Sequence, residues 1–139
     1  MVERTFIMLK PSAVERGLVG EILSRFEHKG LRIAALKLVK VKRDVAERLY
    51  AVHVGKHFFQ ALVDSIVGKD VVVAVLEGRS AVEVVRLMIG ATDPVKANPG
   101  TIRGDYGLDI TNNIIHASDS QASYEYEHRI FFTPEEIIE

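Results

Sequence analysis

The residues best placed for chemistry surround His116, in the run Asn113–Ser120 that reads NIIHASDS. Ile114 and Ile115 predict a short buried strand, and the small polar residues from Ser118 predict the start of a helix. A side chain at such a junction is held still and lies near free backbone N–H groups. Neutral imidazole is a good nucleophile near pH 7, because its ordinary pKa is about 6.5. The histidine is therefore either a nucleophile or a hydrogen-bonded core residue, and spacing alone favours neither.

Glu127 and four phosphate-binding candidates are the other residues of chemical interest. Glu127 lies eleven residues after His116, about three turns into the predicted helix, where its carboxylate could orient the imidazole by accepting a ring N–H. Candidates for binding phosphate lie at the ends of predicted elements, where binding residues tend to collect: Lys10, Arg86, Thr92 and Arg103. Each alone is more often a surface residue, but together they fit an anionic ligand.

The usual backbone cradles for phosphate are missing from the sequence. No G-x-x-x-x-G-K-[ST] or G-x-G-x-x-G run is present, and the Gly68-Lys69 pair lacks the upstream glycine and the hydroxyl. Any bound phosphate must therefore be held by side chains. His53 and His57 have the spacing of a helical metal pair, but Gly55 lies between them and no H-E-x-x-H run is present, so we predict no metal site on the protein itself.

The composition is that of one globular domain. The 139 residues carry a net charge of −1, 47% of them are hydrophobic, and none is cysteine. The charge argues against a basic nucleic-acid surface, and the lack of cysteine excludes disulfides, thiolate metal sites and a cysteine nucleophile. No apolar run is long enough to span a membrane, and the first residues carry charges inside their apolar stretch, unlike a signal peptide. We therefore expect a cytoplasmic protein with no membrane partner.

The hydrophobic pattern predicts strands that alternate with helices. Strands are indicated for RTFIMLK, LRIAALKLVKV and VVVAVLE, the last a central strand buried on both faces, and a short strand leads to His116. Capping boxes at helix starts are predicted at Ser12–Glu15, Ser80–Glu83 and Ser118–Gln121. The count fits an α+β fold of the ferredoxin-like βαββαβ type, an antiparallel sheet covered by helices, in a single domain over residues 1–139. The stretch Ala91–Thr111 has no clear period and predicts a long functional loop.

Four segments, in their order along the chain, resemble the nucleoside diphosphate kinase family: ERTFIMLKP, RGLVGEILSRFEHKG, GTIRGDYG and NIIHASDS. The resemblance runs from Glu3 to about Glu136, and PGTIRGD followed by NIIHxSDS is a highly specific pair. It implies a ferredoxin-like core, a long loop at the subunit contacts and a ping-pong reaction. In that reaction a nucleoside triphosphate gives its γ-phosphoryl group to a histidine, which passes it to a nucleoside diphosphate with broad tolerance of the base.

The resemblance also implies the catalytic residues. His116 would be the nucleophile and would attack through Nδ1, while Glu127 would accept the proton of the other ring nitrogen. Tyr50 would help to position His116 and Lys10. Mg²⁺ is implied as a bridge between phosphates, held mainly by the nucleotide and not by protein ligands.

The nucleotide-binding residues implied by the resemblance belong to several predicted elements. They are Lys10, Phe58, Arg86, Thr92, Arg103 and Asn113. Phe58 would stack on the base, and Asn113 would meet the ribose hydroxyls together with Lys10. Lys10, Arg86, Thr92 and Arg103 would hold the phosphates.

Two positions depart from the family pattern, and assembly is a further expectation. Ser12-Ala13 stands where the family commonly has Asp-Gly, and Ala117 stands where it usually has glycine. We expect Ser12 to cap its helix still. A left-handed backbone at Ala117 would cost roughly 1 kcal/mol, whereas in a permissive conformation the methyl group only narrows the site. The resemblance implies self-association, for which we expect a homohexamer first and a homotetramer second.

Two other classes of protein are weighed against an enzyme. An inactive relative that binds nucleotide without turnover would lack the histidine or a phosphate donor, and none of these is missing. A nucleic-acid regulator built on the same sheet would need aromatic residues on its central strands and a basic face. VVVAVLE has no aromatic residue and the net charge is slightly negative. The sequence therefore favours the phosphotransferase and predicts no specific nucleic-acid binding.

Overall fold

Four strands form one antiparallel sheet in the computed structural model, which describes residues 2–139. The strands are β1 (Val2–Leu9), β2 (Arg32–Lys40), β3 (Asp70–Arg79) and β4 (Ile115–Ala117). Their order across the sheet is β2-β3-β1-β4, and every neighbouring pair is antiparallel. Helices connect β1 to β2 and β3 to β4, which gives the ferredoxin-like arrangement and confirms the predicted fold class. Residue 1 of the predicted domain lies outside the described residues.

Seven α-helices and three short 3-10 turns lie within residues 2–139. The helices are α1 (Pro11–Glu15), α2 (Val19–Lys29), α3 (Arg43–Leu49), α4 (Phe59–Ile66), α5 (Ala81–Ile89), α6 (Ile102–Tyr106) and α7 (Gln121–Phe131). The 3-10 turns are Ala51–His53, Pro94–Lys96 and Pro134–Glu136. Between β2 and β3, α3 and α4 form a helical hairpin that is additional to the ferredoxin-like core. No helix in this part of the chain is long and apolar enough to cross a membrane.

The sheet carries a hydrophobic core on each face, because successive side chains of a strand point to opposite sides. Phe6 and Met8 of β1 belong to the core that also contains Phe131 of α7. Ile7 and Leu9 belong to the opposite core, which is covered by α2 and α5. The interior of β3 is buried and contributes to both cores, which confirms the prediction of a central strand.

The three predicted capping boxes are wrong. Ser12 lies inside α1, because Pro11 already occupies the first helical position, and its buried hydroxyl has no hydrogen-bond partner within residues 2–139. Ser80 precedes α5, but its left-handed backbone (φ 53°) carries the hydroxyl away from the capping position. Ser120 caps α7, two residues later than predicted, and this leaves Ser118 free for another role.

The stretch predicted as one irregular loop contains local structure. The 3-10 turn Pro94–Lys96 and α6 lie within it. Thr101 begins α6, since its hydroxyl accepts the N–H of Gly104 at 3.0 Å. The same hydroxyl donates to the carbonyl of Asn98 at 2.6 Å, so that the loop closes on itself before the helix. This segment delivers Arg103 to the interior.

Candidate active site

One cleft of about 1110 Å³ is lined by all nine residues that the sequence singles out for the site. They come from six parts of the fold: the end of β1, the α3–α4 hairpin, α5, the segment between α5 and β4 that contains α6, β4 and the residues directly before it, and α7. The residues are Lys10, Tyr50, Phe58, Arg86, Thr92, Arg103, Asn113, His116 and Glu127. The fold therefore brings together residues that are as much as 117 positions apart in the sequence, from 10 to 127.

The imidazole of His116 is oriented by a carboxylate. Its Nε2 lies 3.0 Å from Oε1 of Glu127, and the same oxygen accepts a hydrogen bond from Oγ of Ser118 at 2.8 Å. Because a carboxylate only accepts, Nε2 must carry the hydrogen, and in the neutral ring Nδ1 then keeps its lone pair. Ser118 is fully buried and was missed as a site residue, because its spacing from Gln121 resembles a helix cap.

A tight turn delivers His116 to the cleft. Ile114 has a φ of 76°, and Ile115 N–H donates to the carbonyl of Asn113 at 2.9 Å across it. A bulky β-branched residue in this conformation is strained, and such strain persists only where surrounding structure imposes it. Here the carbonyl of Ile114 accepts the N–H of Lys10 at 2.8 Å, which fixes the turn to the end of β1.

Ala117 follows His116 in extended β4 and not in the left-handed region. It is paired with Ile7 of β1, and its carbonyl accepts a hydrogen bond from Arg86 at 3.3 Å. The cost considered for alanine at this position therefore does not arise. The methyl group of Ala117 is buried in the core on the α2 and α5 side of the sheet.

Aromatic rings enclose His116 on the sheet side. Phe6 lies 6.2 Å from it between ring centroids, and Tyr50 lies at 6.3 Å with its ring perpendicular. The Tyr50 hydroxyl is buried and has no hydrogen-bond partner within residues 2–139. Burial, and to a smaller extent the charge of Glu127, raises the pKa of Tyr50, so the hydroxyl keeps its proton and is available as a donor.

Lys10, Arg86 and Arg103 donate to backbone carbonyls, and none of them forms an ion pair with a carboxylate among residues 2–139. Arg103 is 4% exposed and donates to the carbonyls of Gly90, Asn113 and Ile115. Burial, and then the charge of Arg86, lowers the pKa of Arg103 to about 10. No carboxylate lies within 4 Å of its guanidinium in the described part of the chain. The result is a buried positive charge that lacks a counter-ion.

Lys10 is in the same situation. Its Nζ donates to the carbonyl of Thr111 at 3.2 Å, and the residue is 4% exposed. The pKa of Lys10 is lowered to about 7, first by burial and second by the charge of Arg103. An anion that entered the cleft would relieve the repulsion between these two cations.

Polar and aromatic groups further out could recognise a nucleoside. Asn113 donates from Nδ2 to the carbonyl of Thr92 at 2.9 Å, while its buried Oδ1 has no partner within residues 2–139. Phe58 is 37% exposed at the opening of the cleft. The rings of His53 and His57 pack against it at 5.1 and 5.3 Å between centroids.

Comparison with known proteins agrees with this arrangement. The model of the family described as nucleoside diphosphate kinase matches residues 3–137. The nucleoside diphosphate kinase of Hyperthermus butylicus is 61% identical over 137 residues, which cover 99% of this chain and 96% of that protein. The nucleoside diphosphate kinase of Pyrococcus furiosus is 60% identical over 99% of this chain and 88% of its own length. This chain belongs to the nucleoside diphosphate kinase family.

Solved structures of the nucleoside diphosphate kinase family share the fold. A halophilic member from Halobacterium salinarum in complex with CDP superimposes with a TM-score of 0.97 at 43% identity, covering 100% of this chain and 93% of that one. A transition-state mimic of the enzyme from Borrelia burgdorferi, with bound vanadate and ADP, gives a TM-score of 0.93 at 36% identity over 99% of this chain and 91% of that one.

The cleft contains residues that the family resemblance did not lead us to name. Ile110 and Thr111 line one side, and His53 and Lys56 line the other. Lys56 Nζ lies 3.3 Å from Nδ1 of His53, and burial, followed by the charge of Lys56, lowers the pKa of His53. Ile110, Thr111 and Lys56 lie in loops and turns that have no hydrophobic pattern, so the sequence gave no reason to assign them to the site. His53 was considered only as half of a metal pair.

The donor groups of the cleft suit a metal ion that arrives with its ligand. The carboxylates that line it, among residues 2–139, are Asp119 and Glu127, and Glu127 is already bonded to His116 and Ser118. No cluster of three or more metal-ligating side chains occurs in the described residues. Mg²⁺ prefers phosphate oxygens and water to an all-protein cage, so these residues fit a metal carried by a nucleotide.

Proposed function

We propose that this chain is a nucleoside diphosphate kinase. It transfers the γ-phosphoryl group of a nucleoside triphosphate to a nucleoside diphosphate by a ping-pong mechanism, through a phosphohistidine on His116. The observation that carries the proposal is the pairing of Nε2 of His116 with Glu127 inside a cleft of uncompensated cations. This pairing leaves Nδ1 as the nucleophilic atom.

The proposed first half-reaction places the negative charge among fixed donors. Nδ1 attacks the γ-phosphorus in line with the leaving oxygen of the diphosphate, and Glu127 stabilises the imidazolium that forms. Phosphoryl transfer needs in-line positioning and charge stabilisation more than covalent chemistry from the protein. Arg86 and Arg103 supply that charge, and Lys10 adds to it once a bound phosphate favours its ammonium form. None of the three has a carboxylate within 4 Å among residues 2–139, so their charge is available to phosphate.

The second half-reaction is the reverse of the first with a different nucleotide. The diphosphate leaves, another nucleoside diphosphate binds, and its terminal oxygen takes the phosphoryl group from Nδ1. Because donor and acceptor occupy the same cleft, a single set of residues serves both halves. Storing the group on nitrogen divides one transfer into two, each close to energetic balance.

Base tolerance follows from the kind of contact that we propose. Phe58 offers an exposed ring, and stacking on an aromatic face is available to every base. Asn113 and Lys10 would bind the ribose hydroxyls, since Oδ1 of Asn113 is buried and unpartnered within residues 2–139. Thr92 would bind phosphate. The base itself therefore contributes little to selection.

Mg²⁺ is proposed as the metal, held by phosphate oxygens of the nucleotide and by water. When bound, it would neutralise charge on the phosphates and fix their geometry. The protein's own part is to hold the remaining phosphate oxygens with Lys10, Arg86 and Arg103. Activity should therefore require Mg²⁺ at a concentration that at least matches the concentration of nucleotide.

Initial-rate kinetics test the mechanism. With ATP varied at several fixed concentrations of dTDP, a ping-pong enzyme gives parallel double-reciprocal lines, and the enzyme exchanges label between ADP and ATP without any second acceptor. Lines that converge, together with no exchange, would show direct transfer in a ternary complex and contradict the phosphohistidine. Replacing dTDP by CDP, UDP or GDP should change kcat/KM by about tenfold at most.

We also propose self-association, with a homohexamer as the first expectation and a homotetramer as the second. The edge strand β2 exposes Leu36 and Leu38, and the stretch between α5 and β4 exposes Val95 and Leu108. Exposed apolar residues on two separate faces support an assembly built from two kinds of contact. Light scattering after gel filtration gives the subunit number. Leu38→Lys and Leu108→Lys should each yield a different smaller species, and a wild-type monomer would contradict the proposal.

The predicted cytoplasmic location stays a prediction.

A further inference from the structure

Lys10 combines features that are unusual for a lysine. It is almost fully buried, its ammonium has one neutral acceptor, the carbonyl of Thr111, and no carboxylate lies within 4 Å in the described residues. Its backbone N–H bonds to Ile114, next to the Asn113 and Ile115 carbonyls that hold Arg103. A second cation is therefore fixed beside it.

The groups around Lys10 decide its protonation. Arg103 on α6 opposes the ammonium form, while Asp109 in the loop after α6 favours it less strongly. Arg86 on α5 adds positive charge to the same cleft. Of the acids that line it, Asp119 accepts a hydrogen bond from Ser123 and Glu127 is bonded to His116. With burial as the largest cause, the pKa of Lys10 falls to about 7. A lysine beside another cation in a desolvated site is a nucleophile at neutral pH.

The same cleft contains what a phosphate group needs. The guanidiniums of Arg86 and Arg103 line it together with the hydroxyl of Thr92. A small molecule that carries both a phosphate and an electrophilic carbon would be held by these donors while its carbon lies beside the amine. No other lysine among residues 2–139 combines burial with two neighbouring arginines in a cleft. Lys40, for comparison, is exposed and paired with Asp70.

We propose that Lys10 is a site of covalent modification by phosphate-bearing aldehydes, which would form an imine there and block nucleotide binding. The inference rests on the phosphate-binding role proposed above for Arg86 and Arg103. It does not need the phosphohistidine, because His116 takes no part in the bond that forms.

The reaction balances without any oxidant or further reactant. The amine lone pair attacks the carbonyl carbon, and the electron pair of the C–O double bond moves to oxygen. One proton passes from nitrogen to that oxygen, which gives a carbinolamine. Loss of the hydroxyl with a second proton from nitrogen releases one water and leaves the C=N bond. The step is reversible, so nucleotide and aldehyde compete for the cleft.

The test uses pyridoxal phosphate as the probe and is run on both the wild-type protein and His116→Ala. After incubation at neutral pH, borohydride traps the imine and peptide mass spectrometry locates it. Pyridoxal without the phosphate is the control for the probe, and Lys40→Arg is the control for the protein. A lysine with a pKa near 7 should react roughly 30-fold faster at pH 7 than an ordinary one, since its larger free-amine fraction outweighs its lower basicity.

The expected result is one modified lysine per chain, Lys10, in both backgrounds and in Lys40→Arg. Its rate should level off above about pH 8, whereas ordinary lysines react faster up to about pH 10. ADP or inorganic phosphate should protect it, and Lys10→Arg should abolish the label while circular dichroism shows a folded chain. Labelling spread over surface lysines, or equal labelling by pyridoxal, would overturn the inference. Specific labelling in His116→Ala would stand even if the kinase mechanism failed.

Discussion

The proposed mechanism depends on one hydrogen-bonded chain of three side chains. Ser118 donates to Glu127, and Glu127 accepts from His116, with both bonds made to the same carboxylate oxygen. Sharing that oxygen fixes the position of the carboxylate as well as the tautomer of the ring. In the proposed mechanism Ser118 therefore acts through Glu127, as a positioning residue.

Replacing Ser118 by alanine tests that role. The Glu127 carboxylate loses its second anchor, so we expect kcat to fall by about tenfold with KM for nucleotides unchanged, and stability to fall by about 1 kcal/mol. Steady-state kinetics and urea unfolding measure the two effects. Ser118→Thr should restore most of kcat. Ser65→Ala removes a hydroxyl bonded to a carbonyl in α4, remote from the reaction, and should leave kcat unchanged. A normal kcat in Ser118→Ala would contradict the positioning role.

Ala117 offers a second test at this scale. Its backbone is extended and its methyl group is buried, so glycine gains nothing there and loses packing. We expect Ala117→Gly to lower the free energy of unfolding by about 1 kcal/mol and to change kcat by less than twofold. Urea unfolding provides the measurement. An increase in stability would mean that alanine strains the backbone next to the histidine.

Single residues were the most predictable part of the site. His116 stood out as a candidate because an apolar run and a polar run meet there, and Glu127 because helical spacing relates it to that point. The family resemblance, and not this spacing, assigned their roles. The partner of Glu127 was not recognisable, since a serine before a helix is normally a cap and only the observed start of α7 at Gln121 frees Ser118. The positive φ of Ile114 could not be predicted from the sequence, because isoleucine rarely adopts that conformation.

Among the elements, α6 and the turn before it are decisive for placing Arg103. The chain must pass close to itself, because a Cβ atom at Gly104 would lie 2.0 Å from the carbonyl oxygen of Asn98 and 2.7 Å from Oγ1 of Thr101. Glycine is thus required here by contact, and the turn cannot keep its shape with any side chain at that position.

Gly104→Ala should therefore disturb the site from a distance. The loop must move away from Asn98, and Arg103 moves with it, so we expect kcat/KM to fall by at least about tenfold. Gly20→Ala is the matched control, because a Cβ at Gly20 in α2 meets no atom within 4 Å. It should leave kcat/KM unchanged and stabilise the protein by about 0.5–1 kcal/mol. Normal kinetics in Gly104→Ala would show that Arg103 is held without this turn.

The elements themselves were predictable to different degrees. The strands β1, β2 and β3 have long apolar patterns, and these alone identified them. Helix starts were not predictable, since Ser12 and Ser80 satisfy the capping pattern in sequence but not in geometry. The helix α6 is five residues long and contains a glycine, so it is too short to show a helical hydrophobic pattern in the sequence.

On the scale of the whole molecule, the fold concentrates positive charge in a protein whose net charge is −1. Lys10 follows β1, Arg86 and Arg103 lie in α5 and α6, and only the tertiary structure brings them to one cleft. Keeping these three basic side chains together, with no carboxylate within 4 Å of them in residues 2–139, opposes folding in the absence of nucleotide. Under the proposed function, the protein thus gives up stability for a site that is ready to bind phosphate.

The pH dependence of stability measures that cost. Between about pH 7 and the ordinary lysine pKa of 10.5, Lys10 is neutral in the folded protein but protonated when unfolded. The unfolded state then binds more protons, so unfolding free energy should rise with pH, by about 1 kcal/mol per pH unit from Lys10. We expect Lys10→Met to remove this slope between about pH 7.5 and about pH 9 and to be the more stable protein at pH 7. Equal slopes for wild type and variant would contradict a depressed pKa for Lys10.

The most direct measurement of the central claim is the labelling of the protein by ATP that carries a radioactive γ-phosphate, with no acceptor present. We predict about one phosphoryl group per chain on His116, labile in acid and stable in base, released to any added nucleoside diphosphate and absent from His116→Ala. Label that survives His116→Ala, or that resides on a hydroxyl or carboxylate residue, would contradict the account.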